Sequence, residues 1–168
     1  LNRDLTIELV EQRAVALLIA QECLPYLRRG MGDRAALQKA VDIVRDKLPT
    51  FQVALTDCGQ VLASSGWELP EGQLPLPARA AMETNDVFIQ LDGGKEASWA
   101  ILSAPLRADE RITGALLLRV PVGPNLVLDA DRRTLVSMAD FFSVMLELGE
   151  TEHQIALRKQ AEFRALQS

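Results

Sequence analysis

The residues equipped for covalent or metal chemistry are few and widely spaced. The 168-residue chain holds one histidine, His153, and two cysteines, Cys23 and Cys58. Hydrolysis by a triad needs a histidine beside a serine or cysteine, with an acid to orient it. His153 stands in TEHQIALR, a charged helical stretch outside the expected core, and reads as a surface residue. The cysteines show neither C-x-x-C nor Cys/His spacing, so no metal site and no disulfide framework is indicated, and a reduced setting fits best. Cys58 falls in a turn, where an exposed thiol can react, but free cysteines are more often inert. No P-loop and no G-x-G-x-x-G offers a cradle for a nucleotide phosphate. Turnover and a bound cofactor are therefore not expected of this chain. Recognition of a small molecule is the chemistry that remains.

Composition bounds the setting. The net charge of −5 argues against a nucleic-acid surface, which needs a clustered basic face. The longest apolar run of the first helix, AVALLIA at 14–20, falls well short of the ~18 residues that span a bilayer. No signal-peptide pattern is present.

The elements that must position any site follow from periodicity. Residues 3–29 read as a helix with Ile7, Val10, Ala14, Leu17, Leu24 and Leu27 on one face. Pro25 lacks a backbone donor, so a kink or restart is expected there. After the break RRGMGD, Asp33 is a natural N-cap for a helix over Arg34–Lys47 that buries Leu37, Ala40, Val41 and Val44. From residue 51 the period changes to two. FQVALT at 51–56 and VLAS at 61–64 read as a hairpin around DCGQ, with Asp57 bonding its own backbone and Gly59 supplying positive φ. GWELPEGQLPLP at 66–77 is a loop, and Pro77 opens a short helix through Met82. VFIQL at 87–91, SWAILSAPL at 98–106 and ITGALLLRV at 112–120 follow as strands, joined by loops at DGG (92–94) and RADER (107–111). After PVGPN, Asp129 is placed to cap a final helix. This order with its short links predicts an α+β fold: an antiparallel sheet of five or six strands, with N- and C-terminal helices packed on one face.

The final helix is long for a single small domain, ~58 Å from Ala130 at 1.5 Å per residue. Leu135, Met138, Phe142 and Met145 recur at spacings of three and four, a heptad seam. Beyond Leu148 the apolar positions thin to Ile155, Phe163 and Leu166. An isolated helix of that composition frays in water unless a second copy or a further domain holds it. Both ends are therefore expected to be arms of a longer protein. Gly149 interrupts the helix where its packed half should end, at ~1 kcal/mol relative to Ala. It is a candidate weak point between a sensing half and a transmitting half.

In this order the elements resemble a GAF domain, the small-molecule-binding relative of PAS. CLPYLRRGM at 23–31 resembles the start of the cytoplasmic part of LytS-type sensor histidine kinases, and VALTDCGQVLASSG at 53–66 their first hairpin. APLRADERITGALLL at 104–118 is similar to their central strand pair, and EFRALQS at 162–168 to the linker that leads into their phosphoacceptor helix. The resemblance implies residues 1–29 as an N-terminal signalling helix, 30–148 as a GAF-like sensor domain and 149–168 as a linker towards a kinase core. It further implies a homodimer through the terminal helices, a response regulator reached through the kinase core, and the cytoplasmic domain of an inner-membrane protein. Many members carry a cysteine pair before the central strands. Here the matching stretch is LDGGKEASWA at 91–100, so no redox or metal role is expected of it.

GAF domains place a ligand between the sheet and the loops and short helix that precede the later strands. The resemblance thus makes Trp67, Met82, Phe88, Trp99, Ser103 and Arg107 the ligand-binding candidates. Indoles beside loops can wall a pocket and donate a hydrogen bond, and Arg107 or Arg119 can grip a carboxylate. Phe88 and Met82 suit a core role at least as well, and an arginine at a strand end is often solvated or paired on the surface. A domain that only dimerises, with no ligand, fits the same residues. Two other owners stay open. A cyclic-di-GMP turnover enzyme would differ only in the sequence after Ser168, and a transcriptional regulator would want a helix-turn-helix where residues 1–27 form one long helix. Some GAF relatives reduce methionine sulfoxide with grouped cysteines, an arrangement that Cys23 and Cys58 do not match.

Overall fold

The computed structural model describes residues 2–70, 72–92, 98–123 and 128–167, with the backbone alone for residues 2–13. The elements run α1 (Asn2–Leu27), α2 (Arg34–Lys47), β1 (Gln52–Thr56), β2 (Val61–Ser65), α3 (Leu76–Thr84), β3 (Phe88–Asp92), β4 (Trp99–Ala108), β5 (Arg111–Pro121) and α4 (Asp129–Gln167). This is the expected order. Among the described residues the sheet has five strands in the order β2-β1-β5-β4-β3, and every neighbouring pair is antiparallel.

Alternation along the strands divides the sheet into two unequal faces. Leu55, Leu102, Leu106, Leu116 and Leu118 point to the side where α1, α2 and α4 pack, and meet Ile19, Leu27, Leu37, Val41, Leu135, Met138 and Phe142. Each such side chain contributes roughly 1.5–3 kcal/mol when fully buried, so this layer is the main source of stability. The other face is thinner. There Ala54, Ala115 and Leu117 of the sheet meet Ala78 of α3, with Trp67, Leu69, Leu74, Met82 and Ile101 packed around them.

Local chemistry explains the boundaries. Asp33 Oδ1 accepts the Ala36 N–H at 3.1 Å and starts α2, which buries Ala36, Leu37, Ala40, Val41 and Val44. Asp57 Oδ1 accepts the N–H groups of Gly59 and Gln60, both at 2.8 Å, and closes the β1–β2 turn. The carboxylate alone suffices. Among the described residues the positive-φ glycines are Gly30, Gly66 and Gly72, and Gly59 is not one of them.

Several expectations are corrected. In α1 the buried face is Ala16, Ile19, Ala20, Cys23 and Leu27, while Ala14 and Leu17 are exposed. AVALLIA is apolar all the way round, so its period cannot choose a face. No restart follows Pro25: α1 continues to Leu27, and the Arg28 N–H still donates to the Leu24 carbonyl at 3.0 Å. α3 runs from Leu76 to Thr84, two residues beyond Met82. β4 and β5 extend through most of RADER and leave Asp109 and Glu110 as a two-residue turn, with Asp109 at φ 57°. Asp129 lies within α4, since the Arg132 N–H already bonds the Leu128 carbonyl at 2.9 Å. The seam of Leu135, Met138 and Phe142 is spent on the domain's own core, with Met145 partly buried against it. The remainder of the DGG loop, residues 93–97, and residues 124–127 after PVG lie outside the described residues.

Candidate functional site

α3 lies over β4, β5 and β3, on the face opposite the long helices. Pro75 precedes it and Pro77 occupies its first turn, where a missing N–H costs nothing. Asn85 ends it in the left-handed region at φ 54°, its N–H returning to the Ala81 carbonyl. Ala78 and Ala81 are fully buried and face a sheet surface that includes Ala54 and Ala115. Small residues on both sides let the helix lie close to the strands. Trp67 and Met82 pack into this layer.

Two hydroxyls beneath this face are unsatisfied. Ser103 pairs with Phe88 of β3 on one side and Leu117 of β5 on the other. Thr56 pairs with Ala115. Both residues are fully buried, and neither hydroxyl has a hydrogen-bond partner among the described residues. A buried polar group left unpaired costs about 1–3 kcal/mol. Ser103→Ala is thus expected to raise the stability by about 1 kcal/mol, read as an upward shift in a thermal melt. A downward shift would mean that the hydroxyl has a partner in solution.

The remaining candidates lie apart. Arg119 Cζ sits 4.4 Å from the Trp99 ring centroid, while Nε donates to Asp92 Oδ2 at 2.9 Å and Nη1 to Gln52 Oε1 at 2.7 Å. This cluster ties β1, β3, β4 and β5 together and commits two of the Arg119 guanidinium nitrogens to Asp92 and Gln52. At the other end of β4, Arg107 Nε donates to Asn85 Oδ1 at 2.7 Å and Nη2 to the Asn85 carbonyl at 3.0 Å. Trp99 and Arg107 are therefore about 26 Å apart along the strand, at ~3.3 Å per residue. No small molecule touches both. Trp67, Met82, Ser103 and Phe88 belong to the region of α3, while Trp99 and Arg107 mark its margins.

Next to Met82 the surface opens into a groove of about 740 Å³ between α3 and the β1–β2 turn, lined by Cys58, Gly72, Leu74, Arg79, Met82 and Ile112. Its size is in the range of small-molecule sites. Sequence reasoning did not find Thr56 or this groove, because both depend on contacts between segments far apart in the chain.

The two thiols differ in reactivity. Cys23 is fully buried, and its Sγ donates to the Ala40 carbonyl at 3.3 Å. Burial first, and the nearby Glu22 second, push its pKa from 9.0 up to about 12. The folded state thus holds this proton more tightly than the unfolded chain. Its stabilising contribution is intact below pH 9 and is lost as pH rises towards about 12. Cys58 is exposed. A disulfide reagent at neutral pH is expected to modify one thiol per folded chain, the second reacting only on unfolding. Rapid loss of both would contradict the buried position of Cys23. Among the described residues no group of three or more His, Cys, Asp or Glu is placed to hold a metal ion. No described helix is long and apolar enough to cross a membrane.

No protein-family model matches the chain. Relatives do: the sensor protein LytS of Staphylococcus saprophyticus is 29% identical over 94% of the chain. The sensor histidine kinase/phosphatase LytS of Staphylococcus aureus is 26% identical over 90%. The chain spans only 29% and 28% of the length of these two relatives. Among solved structures, a GAF sensor protein from Burkholderia vietnamiensis superposes with a TM-score of 0.65 at 14% identity, covering 84% of this chain and 94% of that one. A GAF domain from A. aeolicus gives 0.64 at 10%, covering 82% and 98%. Free methionine-R-sulfoxide reductase from Neisseria meningitidis gives 0.57 at 16%, covering 79% and 91%. The fold is that of a GAF domain, as the resemblance implied. The likeness to LytS runs over nearly the whole chain.

Proposed function

We propose that the chain senses a small molecule and relays the signal within a membrane-anchored sensor histidine kinase, and that it works as a homodimer without catalysing a reaction itself. Residues 1–29 would bring a signal in, 30–148 would sense, and 149–168 would pass the output to a kinase core. ATP binding, phosphoryl transfer and a response-regulator partner belong to that core, with this segment on the cytoplasmic side.

The observation that carries this reading is the change of character along α4. Up to Gly149 one face is buried in the core, whereas every residue of α4 from Thr151 onward is exposed. A second seam runs down the face turned away from the core. Phe141, Val144, Leu148 and Ile155 occupy heptad positions, and Val144, Leu148 and Ile155 are 58%, 41% and 49% exposed. The same register continues through Thr151, Arg158 and Glu162, where like residues would face each other across a parallel pair, so the apolar stretch from Phe141 to Ile155 is the part of the seam that favours pairing. A solvated helix of this length is marginal alone, and pairing with a second copy holds it.

The ligand is proposed to enter beside Met82 and lodge under α3, between Trp67, Met82 and Phe88, where the hydroxyls of Ser103 and Thr56 gain partners. Trp99 and Arg107 lie beyond the two ends of this site, held by Arg119 and Asn85. Organic acids, amino acids, purines and cyclic nucleotides form the screening panel. A ligand at 100 times its Kd adds about 2.7 kcal/mol to stability. Sedimentation equilibrium tests the dimer. The chain is expected to sediment as a dimer, and Val144→Glu/Leu148→Glu as a monomer with its circular-dichroism spectrum unchanged. A double variant as dimeric as the parent would overturn the seam.

A further inference from the structure

We infer that Arg107 is a coupling residue that joins the cap of α3 on one face of the sheet to the middle of α4 on the other. This deepens the reading above and rests on it for its regulatory meaning. Elsewhere the two helices are separated by the sheet, whose close-packed side chains leave little room to slide. At Arg107 a single residue reaches both. Its guanidinium makes two hydrogen bonds to Asn85, at 2.7 and 3.0 Å. Its backbone N–H donates to Ser143 Oγ on α4 at 3.0 Å. The Ser143 hydroxyl in turn donates to the Ala139 carbonyl at 2.7 Å, inside the same helix.

The strand geometry explains why these contacts exist. β3 pairs with β4 only as far as the Phe88–Ser103 pair, so among the described residues the outer edge of β4 has no strand neighbour beyond Ser103. On its inner side the pairing of β4 with β5 shifts register between Leu106 and Arg107, with Thr113 of β5 as the extra residue. The Arg107 N–H would otherwise lack a partner, and Ser143 supplies one. On the other side, Asn85 caps α3 in the left-handed conformation that asparagine often takes at a helix end. Backbone N–H groups of Asn85 and Asp86 return to the Ala81 carbonyl and close the cap, and the forked pair of bonds from Arg107 ties it to β4. A ligand that lifts α3 must move this cap. The guanidinium follows Asn85, and its backbone amide pulls on Ser143.

Arg107 donates here to the amide oxygen and carbonyl of a neutral residue. Geometry rather than charge therefore sets the bond pattern, and Arg107→Lys loses the fork. A double-mutant cycle on the ligand-free chain tests the link. Asn85→Ala and Ser143→Ala are made singly and together, and denaturant unfolding is measured for each. The two effects on the unfolding constant are expected to miss multiplicativity by threefold or more, and to multiply in an Arg107→Ala background. Multiplicativity in the parent chain would overturn the coupling. Should the double variant not fold, hydrogen exchange of Asn85→Ala alone decides. Amides 139–147 of α4 are expected to exchange several-fold faster, and unchanged rates there would sink the proposal. Neither measurement needs a ligand or a second copy. Failure of the coupling leaves the sensor reading standing, and the reverse holds too.

Discussion

Gly114→Ala is expected to lower the melting temperature by about 6–12 °C, the shift that ~3 kcal/mol produces in a domain of this size. Gly114 lies in β5 opposite Leu106. A Cβ there would run into the Thr56 carbonyl oxygen, and would stand 3.0 Å from the Thr56 carbonyl carbon and 3.2 Å from Asp57 Cα. All three obstacles are backbone, and a backbone cannot swing aside as a side-chain tip can. Conformational freedom is not the reason for glycine here, since Gly114 does not take positive φ. The reason is the path of β1, whose last residue Thr56 still pairs with Ala115 while its pairing with β2 shifts register between Leu55 and Thr56. The chain therefore folds down onto β5 at the one position without a side chain. Overpacking usually costs about 1–3 kcal/mol, and the upper end applies because both strands would have to part. A melt within 2 °C of the parent would show that the β1–β2 turn can lift freely. A large drop should also alter the groove beside Cys58 and Ile112, because the same turn forms its rim.

What the sequence made legible was whatever depends on neighbours along the chain. Strand alternation in FQVALT and SWAILSAPL, the Asp57 turn and the Asp33 cap each rest on contacts within a few residues, and the α+β architecture followed from their order. The α1 face was not legible, because a run of seven apolar residues gives no direction. Two three-four patterns overlap in α4. The strongly apolar one, Leu135–Met138–Phe142, is taken by the core. The weaker one, Phe141–Val144–Leu148–Ile155, is left outside, and only packing reveals which is which. The candidate site was read half as a place and half as residues. Trp67, Met82, Ser103 and Phe88 fall in the region of α3. Arg107 meets Asn85, 22 residues before it, and Trp99 is covered by Arg119, 20 residues further along the chain, counting from 99 to 119. Such pairings depend on register between strands, which no local pattern encodes.

Gly149 looked like a flaw in a helix, and its surroundings predict the opposite of what helix propensity alone would. Gly→Ala in a helix interior ordinarily stabilises by ~1 kcal/mol. Here a Cβ would collide with the Arg28 carbonyl oxygen, and would lie 2.6 Å from the Arg28 carbonyl carbon and 3.0 Å from the Gly30 nitrogen. α4 thus crosses the α1–α2 connection backbone against backbone. Two further contacts flank the crossing: Glu150 Oε1 accepts the Met31 N–H at 2.9 Å, and Arg28 Nη2 meets Glu152 Oε1 at 2.6 Å. The ion pair is exposed and adds little by itself. The carboxylate on a backbone amide and the close approach are what fasten the exit of α4 to the end of α1. Gly149→Ala is therefore expected to destabilise by about 2 kcal/mol net, seen as a fall of about 4–8 °C in melting temperature. Faster hydrogen exchange at the Met31 amide should accompany it. In a full-length kinase of the proposed kind the same change should uncouple output from α1 while leaving ligand affinity within about twofold, because the proposed site under α3 lies on the other face of the sheet. Thr151→Ala, two residues on and exposed, serves as the control for helix propensity. A Gly149→Ala variant that melts higher than the parent would show that the crossing yields, and would return Gly149 to the role of a soft point in the helix.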